Sequence, residues 1–197
     1  NNIKNIRYKS FEFTLNLCQK RNLKNIVETG TSRGKIKLFF FRKYNWKDGM
    51  STIMFAEYAK YINGVLHTCD ISANNIHNAK KFTSNLKKFI YFYVNDSVKF
   101  LNNFSSKIDC LYLDSFDGHD SIKASEHQLR EARASIDKLH NNSLVLLDDK
   151  GAKTNLSIDY YTRNGYFVLY ESKNQILLSK NNNVIWNKND KLDFTLH

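Results

Sequence analysis

Four acidic residues stand where apolar, strand-like runs give way to turns. The first pair lies in Leu111-Tyr112-Leu113-Asp114-Ser115-Phe116-Asp117-Gly118-His119, the second in Leu146-Leu147-Asp148-Asp149. If the two runs are neighbouring strands of one sheet, Asp114, Asp148 and Asp149 meet at a common rim. Three clustered carboxylates repel one another unless a cation sits among them, and an all-oxygen donor set favours a hard ion such as Mg²⁺ or Mn²⁺. Plainer roles are open to the same residues. Asp149 could cap the following turn, and Asp114 could serve a bound cofactor alone.

Positioning such a cluster takes a sheet with its strand ends aligned, and the chain has that pattern. Strand-like runs fall at Asn25–Thr29, Val65–Cys69, Phe89–Val94, Ile108–Leu113, Ser143–Leu147, Tyr166–Tyr170 and Gln175–Ser179. Helical patterns lie between them, near Ser10–Lys20, Ser51–Ile62, Ala73–Lys88, Ser97–Asn102, Ile122–Leu139 and Thr154–Asn164. Such alternation predicts a mostly parallel seven-stranded α/β sheet with helices on both faces. The last two strands are separated only by Glu171-Ser172-Lys173-Asn174, too short for a parallel crossover, so they form an antiparallel hairpin.

A second group of residues lies at the ends of the first three strands. Val27-Glu28-Thr29-Gly30-Thr31-Ser32-Arg33-Gly34 places glycine directly after a strand, where the backbone can turn tightly and approach a ligand at the carboxyl edge of the sheet. The second strand ends at Asp70-Ile71, and an acid there can accept both hydroxyls of a ribose; a free surface Asp is the alternative. Asn95-Asp96-Ser97 follows the third strand, with Ser97 also placed as a helix N-cap. The next helix is delayed until Met50-Ser51-Thr52, so Lys35–Lys47 reads as an insertion. Its Phe39, Phe40, Phe41, Tyr44 and Trp46 suit either a lid over the site or packing on the domain surface.

Taken together, ETGTSRG, Asp70, Asp96-Ser97, YLDSFD, the stretch Ser125-Glu126-His127-Gln128-Leu129-Arg130-Glu131 and LLDD resemble class I S-adenosylmethionine-dependent methyltransferases with a Rossmann-like fold. The resemblance covers roughly Lys24 to Lys180. It is nearest to the Mg²⁺-dependent macrocin and mycinamicin type of sugar O-methyltransferase and to related glycan-modifying domains of bacteria and large viruses. It implies a cofactor set of Glu28, Gly30, Thr31, Ser51, Asp70, Ile71, Asp96, Ser97 and Asp114, and a metal set of Asp114, Asp148 and Asp149. It also implies a base near the metal, for which Asp117 is the first candidate, His119 the substitute and His127 a weaker one. The expected acceptor is a sugar hydroxyl, such as that of a glycan deoxysugar. An RNA or a phenol or catechol is the alternative acceptor, and a binding domain without catalysis is the reading from outside the enzymes.

Composition bounds these readings. The 197 residues suit a single methyltransferase domain spanning 1–197, and the first residue being Asn suggests a domain cut from a longer chain; among such relatives a covalently linked glycosyltransferase domain is one expected partner. A formal charge of +11 would suit a nucleic-acid partner, but Lys and Asn are spread over the whole chain rather than gathered on one face. Cys18, Cys69 and Cys110 lack any paired spacing, which points to a reducing compartment such as the cytoplasm, or the host cytoplasm for a viral chain. No apolar run is long enough to span a membrane.

Overall fold

A computed structural model describes residues 5–33, 35–38, 41–44, 50–117, 119–151 and 153–184. Gly34, Phe39, Phe40 and Trp46 of the sequence argument lie outside these residues. Nine strands and six helices follow one another as α1 (Tyr8–Lys20), β1 (Asn25–Thr29), β2 (Lys35–Leu38), β3 (Phe41–Tyr44), α2 (Ser51–Tyr61), β4 (Val65–Asp70), α3 (Ala73–Phe82), β5 (Ile90–Val94), α4 (Ser97–Asn103), β6 (Ile108–Leu113), α5 (Ser121–Ser135), β7 (Leu139–Asp148), α6 (Asn155–Arg163), β8 (Phe167–Glu171) and β9 (Gln175–Ser179). All seven strands expected from the sequence are present. The two additional ones, β2 and β3, pair antiparallel within the stretch read as an insertion.

The main sheet has the order β5-β4-β1-β6-β7-β9-β8. Strands β5, β4, β1, β6 and β7 run parallel, and β9 pairs antiparallel with both β7 and β8. The strand order reverses between β1 and β6, and an open α/β sheet holds its ligand in the crevice beyond such a switch point. Backbone bonds tie the crevice edges together. Gly30 N–H donates to the Cys69 carbonyl (2.9 Å), and Asp114 N–H donates to the Thr29 carbonyl (2.9 Å).

Side-chain alternation along the central strands builds two cores. Cys110, Tyr112, Leu144 and Leu146 face a cluster with Phe11, Leu15, Phe55 and Tyr58, while Leu111, Leu113, Val145 and Leu147 face another with Leu101, Ala132 and Tyr161. In α1, Phe11, Leu15 and Cys18 recur at helical spacing on the buried face. Anchoring that face holds Arg7, at the N-terminal end of α1, over the carboxyl edge of the sheet. All three cysteines are free and buried. Among the described residues no helix is long and apolar enough to cross a membrane.

Candidate functional site

Gly30 follows β1 with φ +85°, a conformation that L side chains rarely adopt. Two residues before it, Glu28 is fully buried. Its Oε1 accepts from Ser51 Oγ (2.5 Å), and its Oε2 accepts from Thr52 Oγ1 (2.7 Å) and Thr68 Oγ1 (2.6 Å). Thr52 Oγ1 also accepts from the Ser32 amide (2.9 Å), and Ser32 Oγ accepts from the Thr52 amide (3.0 Å). One carboxyl group thus joins β1, β4 and the first turn of α2 beneath the glycine turn.

Burial pushes the Glu28 carboxyl up to about 7, against the three hydroxyl donors that favour its charged form. A raised native pKa means that the folded state holds this proton while the unfolded chain has lost it. The associated stability is therefore complete below about 4.5 and is lost as pH rises through about 7. The loss is of order 3 kcal/mol. We expect Glu28→Gln to remove most of this decline when urea unfolding is compared at pH 5 and pH 8. Parallel pH dependences of the two proteins would refute it.

Above this floor lies a cavity of about 430 Å³, within the range of small-molecule sites. Gly30, Thr31, Ser51, Asp70, Ile71 and Asp114 of the expected cofactor set line it. Asp70 Oδ1 accepts from the Ser72 amide (2.7 Å), and Oδ2 from the Thr31 amide (3.2 Å) and Asn75 Nδ2 (3.1 Å). A carboxylate offers about four lone-pair directions. The three donors leave one direction open on the cavity side.

The acid cluster adjoins this cavity. Asp114, Asp148 and Asp149 each present an oxygen within 4.8 Å of the others. Successive residues of a strand point to opposite faces, but Asp149 has φ +53° and ends the strand, so both neighbouring carboxylates reach one guanidinium. Arg7 Nε donates to Asp148 Oδ1 (2.7 Å), and Arg7 Nη2 to Asp149 Oδ1 (2.9 Å). From the turn after β7, Lys153 Nζ donates to Asp114 Oδ1 (2.7 Å), lies 3.1 Å from Asp149 Oδ2 and donates to the Phe116 carbonyl (2.9 Å).

Burial works against the Lys153 ammonium, but Asp114 and Asp149 outweigh it and its pKa is raised. Burial and the adjacent Asp148 push the Asp114 carboxyl well above the usual range, against the pull of Lys153. The repulsion expected to demand a metal is thus relieved by two cations of the chain itself. One buried lone pair, Asp148 Oδ2, has no donor among the described residues.

A family model described as a methyltransferase domain matches residues 46–150, just over half of the chain. The chain belongs to this methyltransferase family. The methyltransferase matches no curated protein in sequence. Among solved structures it is similar to a methyltransferase from Geobacter sulfurreducens (TM-score 0.57, 15% identity, 87% of this chain and 77% of that one). It is also similar to a methyltransferase from Podospora anserina bound to S-adenosylhomocysteine (TM-score 0.63, 12% identity, 86% and 77%) and to an rRNA methylase from Streptococcus thermophilus (TM-score 0.61, 13% identity, 91% and 99%). At these identities the likeness is one of fold. It matches the expected Rossmann-like sheet with its antiparallel end.

Not every residue expected at the methyltransferase's site reaches it. Glu28 faces Ser51, Thr52 and Thr68 and does not line the cavity, so it positions the ligand-facing turn from below. Asp96 caps α4 by accepting from the Lys99 amide (2.9 Å), which is the N-cap role expected of Ser97. Ser97 is buried against His127 Nε2 (2.9 Å) and donates to Ser115 Oγ (3.2 Å). His127 is also buried, with Ser115 Oγ at 3.0 Å and Glu131 at 3.8 Å, and does not line the cavity. His119 is exposed and does not line the cavity, whereas Asp117 lines it and accepts from Arg33. Sequence reasoning missed Arg7, Arg33, Ser115 and Lys153. The one available signal was DDKGAK, which sets Lys153 four residues past Asp149.

Proposed function

We propose that this domain transfers the methyl group of S-adenosylmethionine to a hydroxyl of a sugar or glycan. The observation that carries the reading is one cavity lined both by Asp70, a hydrogen-bond acceptor for a diol, and by Asp114, Asp117 and Asp149. A methyl sulfonium supplies an electrophilic carbon and a neutral thioether leaving group. The C–S bond breaks with its electron pair going to sulfur, and the acceptor oxygen forms the new C–O bond. The protein's share is alignment of the two atoms and removal of the hydroxyl proton. Gly30 and Thr31 would carry the methionine and ribose, Asp70 the ribose diol, and Ile71 the adenine face.

Asp117 fits the base because it lines the cavity and Arg33 is its recorded partner, whereas Asp149 is held by both Arg7 and Lys153. Neutral polyols also suit the charge of the lining better than RNA. Four carboxylates border the cavity, and Arg7 and Arg33 are already engaged by carboxylates. A divalent ion held by Asp114, Asp148 and Asp149 is the second reading, favoured by the donorless Asp148 Oδ2. Those residues do not fit an ion as they stand, because Lys153 Nζ would have to leave Asp114 and Asp149.

Asp70→Ala should weaken S-adenosylhomocysteine binding by about 1–3 kcal/mol, the cost of stranding hydrogen-bonded partners. Titration calorimetry reads this directly. Unchanged affinity in the variant, or no binding by the wild type, would remove the cofactor assignment. Product mass spectrometry with neutral glycosides and with RNA then decides the acceptor, and methylated RNA alone would replace the sugar reading.

A further inference from the structure

A lysine is almost never fully buried unless it is paired, and Lys153 is 2% exposed. Its surroundings are those of a bound cation. Two carboxylate oxygens and one carbonyl oxygen converge on Nζ, at 2.7, 3.1 and 2.9 Å. The backbone brings it there: Lys153 N–H donates to the Asp149 carbonyl (3.2 Å), closing a tight turn after β7 in which Gly151 has φ +86°. Arg7 closes the other side of the cluster with its paired bonds to Asp148 and Asp149.

We propose that Lys153 stands in for a divalent ion in this methyltransferase, fixing Asp114 and Asp149 at the cavity wall so that methyl transfer runs without metal. The proposal rests on the methyltransferase reading of the cavity and departs from the metal dependence that the sequence resemblance implies. Lys153 acts through the two carboxylates it holds and is a positioning residue. Charge decides between the ammonium and an ion. Arg7 and Lys153 bring two positive charges to three carboxylates, so an added divalent ion would leave the enclosed cluster with excess positive charge. Metal and ammonium therefore exclude each other at this position. Removing the ammonium should create a metal site where the intact protein has none.

The test is Mn²⁺ binding, read by calorimetry and by electron paramagnetic resonance on the full chain, alongside turnover in excess chelator. The wild type should show no stoichiometric Mn²⁺ binding at millimolar concentration and should keep its turnover in chelator. Lys153→Gln should bind Mn²⁺ at least roughly tenfold more tightly than the wild type, because three carboxylates then face one cation. Lys153→Arg should behave as the wild type toward Mn²⁺, since the charge is retained.

Stoichiometric Mn²⁺ binding by the wild type, turnover lost in chelator and restored by Mg²⁺, or a folded Lys153→Gln protein with no gain in Mn²⁺ affinity would each overturn the proposal. If Lys153→Gln does not fold, the wild-type and Lys153→Arg measurements decide. S-adenosylhomocysteine affinity, measured separately, reports on the methyltransferase reading and leaves the metal result to stand by itself.

Discussion

Asp117→Asn should lower turnover about 10²–10⁴-fold while leaving S-adenosylhomocysteine affinity within about twofold of the wild type. The amide keeps the size of the carboxylate and removes its ability to take a proton. A hydroxyl attacking a sulfonium carbon must lose its proton as the C–O bond forms, so a missing base appears in the chemical step and not in cofactor binding. Asp117 sits four residues beyond the end of β6, on the cavity wall, and accepts from Arg33 of the glycine turn. An acceptor hydroxyl approaching Asp117 competes with the Arg33 guanidinium for its oxygens. His119→Ala is the control, since His119 is exposed and off the cavity. Near wild-type turnover in Asp117→Asn combined with loss of turnover in His119→Ala would move the base to His119.

The sheet was legible because its strands are short apolar runs with turn residues at both ends, and because the three residues between β8 and β9 allow only a hairpin. The β2–β3 hairpin was missed although KIKL alternates. Basic residues between the apolar ones drew attention to charge rather than to period two. At the site, three expected residues delivered by strand ends line the cavity: Gly30, Asp70 and Asp114. Those delivered by distant segments were invisible. Arg7 meets Asp148 across 141 residues of sequence, and nothing near Arg7 marks it among the many basic side chains. Lys153 lies close to Asp149 in sequence, but spacing alone does not tell an inward-turned lysine from a solvated one. The clustering of the acids was legible from their strand-end positions; the two cations that contact them, Arg7 and Lys153, were not.

Gly30→Ala should be the most damaging single substitution to the site's architecture, lowering stability by about 2–4 kcal/mol and the melting temperature by roughly 4–16 °C. Two costs combine. Alanine at φ +85° pays about 1 kcal/mol of backbone strain. The added Cβ would also lie 2.1 Å from the Asp114 carbonyl oxygen, 2.5 Å from its carbon and 2.9 Å from Ser115 Cα. All three are backbone atoms and none can rotate aside, so the chain after β6 must shift, at a typical overpacking cost of about 1–3 kcal/mol. That shift pulls on the bond from the Asp114 amide to the Thr29 carbonyl and on the Lys153–Asp114 contact, so cofactor affinity and stability should fall together. Gly151→Ala separates the two costs. Gly151 has φ +86° but nothing within 4 Å of an added Cβ, so it should lose only the strain of about 1 kcal/mol and keep its affinity for S-adenosylhomocysteine. Thermal unfolding followed by circular dichroism, with calorimetry on the same samples, reads both quantities. Equal losses in the two alanine variants would show that the contact between the glycine turn and Asp114 is not what makes Gly30 necessary.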